Sequence, residues 1–373
     1  MKLHFKETWR RTKAVCFGLL LGLILCEIIL RIYNPFPFSI KKGKLILPAN
    51  QTKIFTNKWI KKLDEKIYYS RNTLGFRGPE LPDSISKLTS IITIGGSTTE
   101  CKFLSDSCTW PFFLYQSLKK QDSLIWLNNA GIDGHSTFGH LLLLKEYVLK
   151  LKPDYVLFLT GINDEEIEQP DEFDLMTEKK VATNSFKGFI KSILNHSEIG
   201  RTVFNFYHVQ IAYKKGLIHR EINPKELIDV AVADSIAFKR IANQSSYLNG
   251  YKKRVNQLLL ECKEAGIRPI FITQPSLFGD YVDSATQISM GNKWVRNSEV
   301  PDNCILEEKI LEMYNDVLRS LAGQAVIIDL AKEMPKNSVY YYDFTHFTKE
   351  GAKKVSDILY NHLYTVIFNN STK

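Results

Sequence analysis

The apolar positions of the chain fall into short continuous runs rather than into an alternation of apolar and polar positions. Such runs are typical of parallel strands covered on both faces. They predict five strands: Ser90–Ile94, Leu124–Asn128, Tyr155–Thr160, Arg268–Thr273 and Ala325–Leu330. Longer segments with helical spacing predict helices over residues 109–121, 138–151, 246–265, 304–322 and 348–363. This alternation predicts an α/β protein, a three-layer α/β/α sandwich with a mainly parallel five-stranded sheet.

One interval does not fit the alternation. Residues 165–246 are far longer than an ordinary crossover between the third and fourth strands. The interval starts with an acidic stretch and continues with an aromatic and basic one, SFKGFIKSILNHSEIGRTVFNFYHVQIAYKK. We interpret it as an inserted helical lid or docking surface.

The N-terminal region contains a single long apolar run. Residues Ala14–Leu30 are apolar except for Glu27, and as a helix they span roughly 26 Å, slightly short of a bilayer core. Extension to residue 33 closes the gap, so we predict a transmembrane anchor over residues 14–33. Basic residues precede it, which favours a cytoplasmic N-terminus and an extracytoplasmic remainder. A cleaved signal peptide is the alternative, although no small-x-small site follows the run.

Charge narrows the choice of partners. The net charge of +9 is concentrated in residues 1–46, which carry nine Lys or Arg against two Glu. Basic character confined to one end argues against nucleic acid as the main partner. We divide the chain into a basic tail (1–13), the anchor (14–33), a stem that leads into the domain (34–85), the α/β domain (86–363) with its insertion (165–246), and a C-terminal tail (364–373).

Glycines and polar residues follow each predicted strand. Ligands of open parallel sheets bind beyond the carboxyl ends of the strands. The blocks, in chain order, are Gly95-Gly96-Ser97, NAGIDGHST with Gly134, GIND with Asn163, QPS with Gln274, and YYYDFTHFTKEG with Asp343 and His346. We therefore expect these groups to meet at one edge of the sheet.

Five of these residues fit one reaction. Ser97 is the candidate nucleophile, His346 its base, and Asp343 the group that orients His346. The backbone N–H groups of Ser97 and Gly134 and the side-chain amide of Asn163 can stabilise an oxyanion. Each residue alone has a plainer interpretation: Ser97 as a helix N-cap, Gly134 as a turn residue and Asn163 as a loop cap. The joint order at the strand ends favours catalysis.

These blocks resemble the SGNH (GDSL-like) hydrolase superfamily. The resemblance covers about residues 70–363 and leaves the insertion unmatched. NTLGFRGPE, IGGSTTE, TWP, GHSTFGH and FITQP are similar to a bacterial branch with an N-terminal membrane anchor. The resemblance implies a flavodoxin-like sandwich and an esterase, lipase or acyltransferase activity. One position departs from the family pattern, because Gly96 stands where Asp is usual.

Other residues have weaker assignments. Gln274 and Trp294 are candidates for substrate binding, Trp294 as a platform for a sugar ring. Glu100, three residues after Ser97, has the spacing of a capping-box partner. Cys101 and Cys108 are close enough in sequence to form a disulfide, and free thiols are the equal alternative. No CxxC pair or Cys/His cluster is present, so we expect no metal and no cofactor.

Together these features predict a membrane-anchored, extracytoplasmic serine esterase. It would remove acyl groups, with acetyl favoured, from acylated carbohydrate or another cell-envelope ester. An O-acyltransferase that modifies an exported polysaccharide would use the same residues and is the alternative. A non-catalytic envelope binding or assembly protein on the same scaffold, and a lipase whose insertion lies on the bilayer, remain further alternatives.

Overall fold

The computed structural model describes residues 2–32, 39–41, 44–168, 197–200, 202–203, 219–295 and 300–368. The chain divides into two compact units. The first combines Met1–Ile46 with Glu178–Leu217, and the second combines Leu47–Thr177 with Ile218–Lys373. The second unit contains the predicted α/β domain, whereas the middle of the predicted insertion belongs to the first.

In the first unit, helix α1 (Lys2–Ile32) precedes a short hairpin, β1 (Ser39–Lys41) with β2 (Lys44–Ile46). Within α1, the segment Trp9–Ile32 has a mean hydropathy of 2.4 and is long and apolar enough to cross a membrane. A signal sequence would have the same length and composition.

A carboxylate inside this apolar helix has several hydrogen-bond donors. Glu27 accepts hydrogen bonds from the Arg31 Nε at 2.9 Å and the Ser197 Oγ at 2.8 Å. The backbone N–H groups of Glu198 and Ile199 also donate to it, at 3.0 and 3.2 Å. Glu198 and Ile199 begin a helical segment, 198–200, and their backbone N–H groups supply polar partners that a carboxylate in apolar surroundings requires.

The second unit is built on one five-stranded parallel sheet. Its strands are β5 (Thr89–Gly95), β6 (Ile125–Asn129), β7 (Tyr155–Leu159), β8 (Arg268–Ile272) and β11 (Val326–Ile328). The spatial order is β6-β5-β7-β8-β11, with every neighbouring pair parallel. This is the flavodoxin-like order, in which the chain reverses direction across the sheet between β5 and β7. The predicted fold class is confirmed.

Helices cover both faces of the sheet. Helices α3 (Trp110–Lys119) and α9 (Lys349–Phe368) pack together on one face. The other face carries α4 (Thr137–Leu143), α6 (Asp234–Glu264) and α7 (Cys304–Arg319). Shorter elements complete the unit: antiparallel hairpins β3 (Gln51–Thr56) with β4 (Lys66–Arg71) and β9 (Val282–Asp283) with β10 (Ile288–Ser289), and helices α2 (Ser97–Glu100), α5 (Leu149–Leu151) and α8 (Leu330–Glu333).

Helix α6 begins at Asp234, well before the predicted start at residue 246. Most side chains between 234 and 243 are exposed or half-buried. This first part of the helix therefore lacks the apolar periodicity from which a helix is predicted. The last part of the predicted insertion is thus a helix of the α/β domain itself.

Candidate active site

The structure brings Ser97 and His346 together although they lie far apart in the sequence. Ser97 is the first residue of α2, directly after β5 and the glycine pair. Its Oγ lies 2.6 Å from the Nε2 of His346. Ser97 is 7% exposed and the His346 side chain 18%, so the pair is largely shielded but reachable from solvent. This is the geometry in which a histidine takes the proton of a serine nucleophile.

Asp343 fixes the other side of the same imidazole. Its Oδ2 lies 2.6 Å from the His346 Nδ1. Its Oδ1 accepts the backbone N–H groups of Thr345 and His346 at 2.9 and 2.7 Å. Burial alone would raise the pKa of Asp343, but the neighbouring His346 and these hydrogen bonds hold it below its ordinary value. An ionised Asp343 keeps the proton on Nδ1 and leaves Nε2 to act as the base.

The candidate oxyanion donors lie around the glycine pair. Asn163, in the turn after β7, donates from Nδ2 to the backbone oxygen of His135 at 3.0 Å. A side-chain amide has two N–H donors, so one can serve a substrate oxygen. A Cβ placed on Gly96 would lie 2.2 Å from this Nδ2. The Asn163 amide thus occupies the space that the usual Asp of the Gly-Asp-Ser block would need. Gly134 has a φ of +76°, a conformation that glycine adopts readily.

A buried polar cluster holds the Asn163 turn against α4. Asp164 accepts hydrogen bonds from the Thr137 Oγ1 at 2.5 Å and from the Arg254 Nη2 at 3.1 Å. Burial raises the pKa of Asp164 in spite of Arg254. Asp164 directly follows Asn163 and is fully buried. Its role is to fix the turn that carries Asn163.

Glu100 is not a capping-box residue. Its carboxylate accepts hydrogen bonds from the Arg71 Nη2 at 2.6 Å, the Tyr69 hydroxyl at 2.7 Å and the Asp133 backbone N–H at 2.7 Å. Burial would raise the pKa of Glu100, but Arg71 holds it below its ordinary value. The buried pair joins α2 to β4, and the Asp133 N–H joins Glu100 to the loop of Gly134. Glu100 has the spacing of a capping box, but it pairs with Arg71 instead.

Replacing Arg71 by Met is expected to lower the free energy of unfolding by about 3–5 kcal/mol, because it leaves the Glu100 carboxylate buried without its cation. Denaturant titration of the full-length protein in detergent, followed by tryptophan fluorescence, measures the change. Adding Glu100→Gln to Arg71→Met removes the unpaired charge and is expected to restore much of the loss. A loss below about 1 kcal/mol for Arg71→Met would show that the pair is not important for stability.

Gln274 and Trp294 are the two candidates for substrate binding. The Gln274 side chain is 1% exposed and is held by the Thr98 hydroxyl and the Pro275 carbonyl. Through Thr98 it contacts α2. Trp294 is half-buried and donates its backbone N–H to Ile228. The contacts described for the triad do not include it. The role of both residues in substrate binding stays a prediction.

The two thiols near the nucleophile are free and buried. Burial raises the pKa of Cys101 to about 12, so this thiol stays protonated and does not compete with Ser97. The Sγ of Cys101 donates to the Thr98 carbonyl at 3.3 Å, and the neighbouring Ser107 hydroxyl lies 3.8 Å from the Sγ of Cys108. Cys101 and Cys108 therefore do not form the disulfide that the sequence left open.

Two buried histidines lie behind the oxyanion loop. His135 and His140 are each 1% exposed, with ring centroids 6.5 Å apart. Burial, together with the nearby His135, lowers the pKa of His140 from its ordinary value to about 3. The folded protein therefore keeps His140 neutral at pH values where the unfolded chain is protonated, and stability falls as the pH drops below about 6.5.

Replacing His140 by Phe is expected to make stability less sensitive to acid. One such histidine contributes about 1.4 kcal/mol per pH unit between its folded and unfolded pKa values. The slope of the unfolding free energy against pH, measured between about pH 6 and 4, should decrease by roughly this amount in the variant. Equal slopes for the wild type and the variant would contradict the burial of a neutral His140.

The site also contains two residues that sequence reasoning missed, His219 and Asp133. His219 lies in the second half of the predicted insertion, and its Nε2 is 3.3 Å from the Asp133 Oδ2. Its ring centroid lies 4.2 Å from that of His346. No motif marks His219, because it is a single histidine in a segment without a recognisable pattern. Asp133 could have been selected from the sequence, because it stands next to Gly134 in the NAGIDGHST block.

Among the described residues, His219, Asp343 and His346 have potential metal-ligand atoms within 4.8 Å of one another. Both nitrogens of each imidazole already have a hydrogen-bond partner within the protein. A metal ion would have to displace the bond between His346 and Asp343. These residues therefore fit a serine triad with an added histidine better than they fit a metal site.

No protein-family model and no curated protein sequence matches the chain. Several solved structures match it. LAE5, an alpha/beta hydrolase enzyme from the metagenome of Lake Arreo, shares 13% identity over 74% of this chain and 95% of its own, with a TM-score of 0.39. Axe2, an acetylxylan esterase from Geobacillus stearothermophilus, shares 14% over 74% and 96%, with a TM-score of 0.40. A protein of the G-D-S-L family from Desulfitobacterium hafniense DCB-2 shares 13% over 73% and 98%, with a TM-score of 0.38.

Proposed function

We propose that this chain is a membrane-anchored serine esterase that removes acyl groups, acetyl foremost, from carbohydrate or other cell-envelope esters. The observation that carries the proposal is the continuous hydrogen-bonded row of Ser97, His346 and Asp343, with both distances at 2.6 Å. The resemblance of the blocks around Ser97, Gly134, Asn163 and His346 to SGNH hydrolases adds the substrate classes of that family. Ordinary structural histidines do not require a serine and an aspartate aligned on their two nitrogens.

The acylation step follows from this row. His346 Nε2 takes the proton of Ser97 as Oγ attacks the ester carbonyl carbon, and Asp343 stabilises the imidazolium that forms. The N–H groups of Ser97 and Gly134 and the Asn163 amide stabilise the oxyanion. His346 then gives the proton to the leaving alcohol oxygen as the C–O bond breaks, which leaves the acyl group on Ser97.

Deacylation decides between esterase and transferase. In the esterase, His346 takes a proton from water as the water oxygen attacks the acyl carbon. It then returns this proton to the Ser97 Oγ as the bond between Oγ and the acyl carbon breaks, which releases the acid. In the alternative, a sugar hydroxyl takes the place of water, and the protein is an O-acyltransferase. With excess oligosaccharide and an aryl acetate donor, the esterase releases acetate only. Acetylated oligosaccharide as the main product would replace the esterase by the transferase.

The proposed location depends on the first helix. Trp9–Ile32 is long and apolar enough to span a bilayer, and basic residues precede and overlap its start, which supports a cytoplasmic N-terminus. An anchored protein stays with the membrane in an alkaline carbonate wash. A mature protein whose N-terminal sequence begins beyond residue 33 would instead show a cleaved signal peptide.

A fluorophosphonate probe tests the enzyme assignment directly, because it labels only activated serines. We expect labelling of the full-length protein in detergent and none of Ser97→Ala. Ser107→Ala is the matched control, since Ser107 is exposed and lies outside the triad. An unlabelled wild-type protein would favour the non-catalytic alternative, and labelling of Ser97→Ala would place the nucleophile elsewhere.

A further inference from the structure

The imidazole of His346 has two aromatic neighbours besides its triad partners. The Tyr342 ring lies nearly parallel to it, with centroids 5.5 Å apart and an interplanar angle of 10°. The His219 ring is closer, at 4.2 Å, and tilted by 46°. Direct contact with the ring of the proposed base means that His219 can affect both the position and the protonation of His346.

Two hydrogen bonds and an aromatic contact fix the His219 side chain. Its Nδ1 lies 2.6 Å from the Tyr342 hydroxyl, and its Nε2 lies 3.3 Å from the Asp133 carboxylate. The Phe103 ring packs against it, with centroids 4.7 Å apart. Because both nitrogens are occupied, His219 is not placed to act as a base toward substrate. Its arrangement suits a fixed, charged neighbour of the triad.

The backbone beyond His219 is tied to the histidine loop. The Ile222 N–H donates to the Tyr342 carbonyl at 2.8 Å. The Glu221 carboxylate accepts the backbone N–H groups of Lys61 and Lys62, and the Lys62 ammonium donates to the Tyr341 carbonyl at 3.1 Å. This segment, 219–222, is therefore anchored by its own hydrogen bonds where it meets the site.

We propose that His219 is a positioning residue of the triad, which with Asp133 forms an ion pair that fixes the His346 ring and balances the charge beside it. The proposal deepens the proposed function and rests on it. Through this pair, the predicted insertion contributes to the chemistry of the site rather than only covering it.

The charged groups that face His219 decide whether its pKa is raised or lowered. They come from Asp133, Asp343, Lys102 and His346, with the hydroxyl of Tyr342 beside them. Burial would lower the pKa of His219, but Asp133 more than offsets this and raises it above its ordinary value. Burial would likewise raise the pKa of Asp133, and His219 holds it below its ordinary value. Each residue thus favours the charged form of the other.

His219→Gln keeps a polar side chain but removes the positive charge, and so leaves the Asp133 carboxylate uncompensated near His346. A bare negative charge favours protonated His346, which is inactive as a base. The acidic limb of the pH profile of kcat/KM should therefore move up by about one pH unit. Adding Asp133→Asn removes the second charge and should move the limb back toward the wild-type position. A residue that only packs would make the double variant worse than the single one.

A measurement that does not depend on enzyme activity separates the role of His219 from the proposed esterase function. Diethyl pyrocarbonate modifies an imidazole in its neutral form but not in its protonated form. Trypsin releases His346 as the lone histidine of the peptide 337–349. The pH midpoint of its modification should shift upward in His219→Gln and return in the double variant. His219→Asn replaces the Gln variant if that does not fold. Midpoints that agree within about 0.2 pH unit in all variants would overturn the proposal, even in an active enzyme. A wild-type protein that the fluorophosphonate leaves unlabelled would instead overturn the proposed function.

Discussion

Replacing Asp343 by Asn is expected to lower kcat/KM for an aryl acetate by about 10⁴-fold, because it reverses the tautomer of His346. The Oδ1 of Asp343 accepts two backbone N–H groups, and the Asn oxygen must take the same place. The Asn Nδ2 then faces the His346 Nδ1 and donates to it. Nδ1 becomes an acceptor, the proton moves to Nε2, and Nε2 can no longer take the proton of Ser97.

Asp316→Asn is the matched control for this substitution, because Asp316 is 70% exposed and binds only the surface side of Arg319. It removes the same charge and should leave kcat/KM unchanged. Kinetics of both purified variants, with thermal unfolding as a check on folding, measure the effect. An Asp343→Asn enzyme within about tenfold of the wild type would mean that Asp343 does not set the tautomer of His346.

Replacing Gly96 by Asp, which restores the usual Gly-Asp-Ser block, is expected to lower kcat by about 10²–10³-fold. The added Cβ would lie 2.2 Å from the Asn163 Nδ2, so Asn163 must move away. Loss of one oxyanion donor has an effect of this size. Gly96→Ala should be nearly as harmful, because the clash is with the Cβ itself.

A double-mutant cycle tests whether Gly96 acts through Asn163. If the clash displaces the amide, Gly96→Ala combined with Asn163→Ala should be no slower than Asn163→Ala alone. Additive losses would show that the alanine disturbs another part of the loop. Activity above that of the wild type in Gly96→Asp would show that the site follows the usual family arrangement.

The sequence predicts the core of the fold well, because buried parallel strands leave a clear pattern. All five strands are found within two residues of the predicted bounds at each end, and the last is shorter than predicted at both ends. Ser97, Asn163 and His346 could be selected because strand ends of a parallel sheet meet at one edge. The chemistry of Ser97, Asp343 and His346 stays a prediction until it is measured.

The errors have physical causes that a local pattern cannot reveal. Glu100 has the spacing of a capping box, but its partner is Arg71, which a different hairpin brings to it. The start of α6 is exposed and so carries no apolar period. His219 reaches the site because of contacts to Tyr342 and Asp133, and such long-range pairings are not encoded in any short motif.

The most direct test of the central claim is to trap the acyl-enzyme. An aryl acetate has a good leaving group, so acylation is fast and the acetyl-enzyme accumulates before hydrolysis. Full-length protein in detergent is mixed with excess aryl acetate, quenched in acid within the first turnovers and digested for mass spectrometry. The account predicts one acetyl group on Ser97, and none on that peptide in Ser97→Ala. Turnover by the wild type with no acetyl on Ser97, or with the acetyl on another residue, would contradict it.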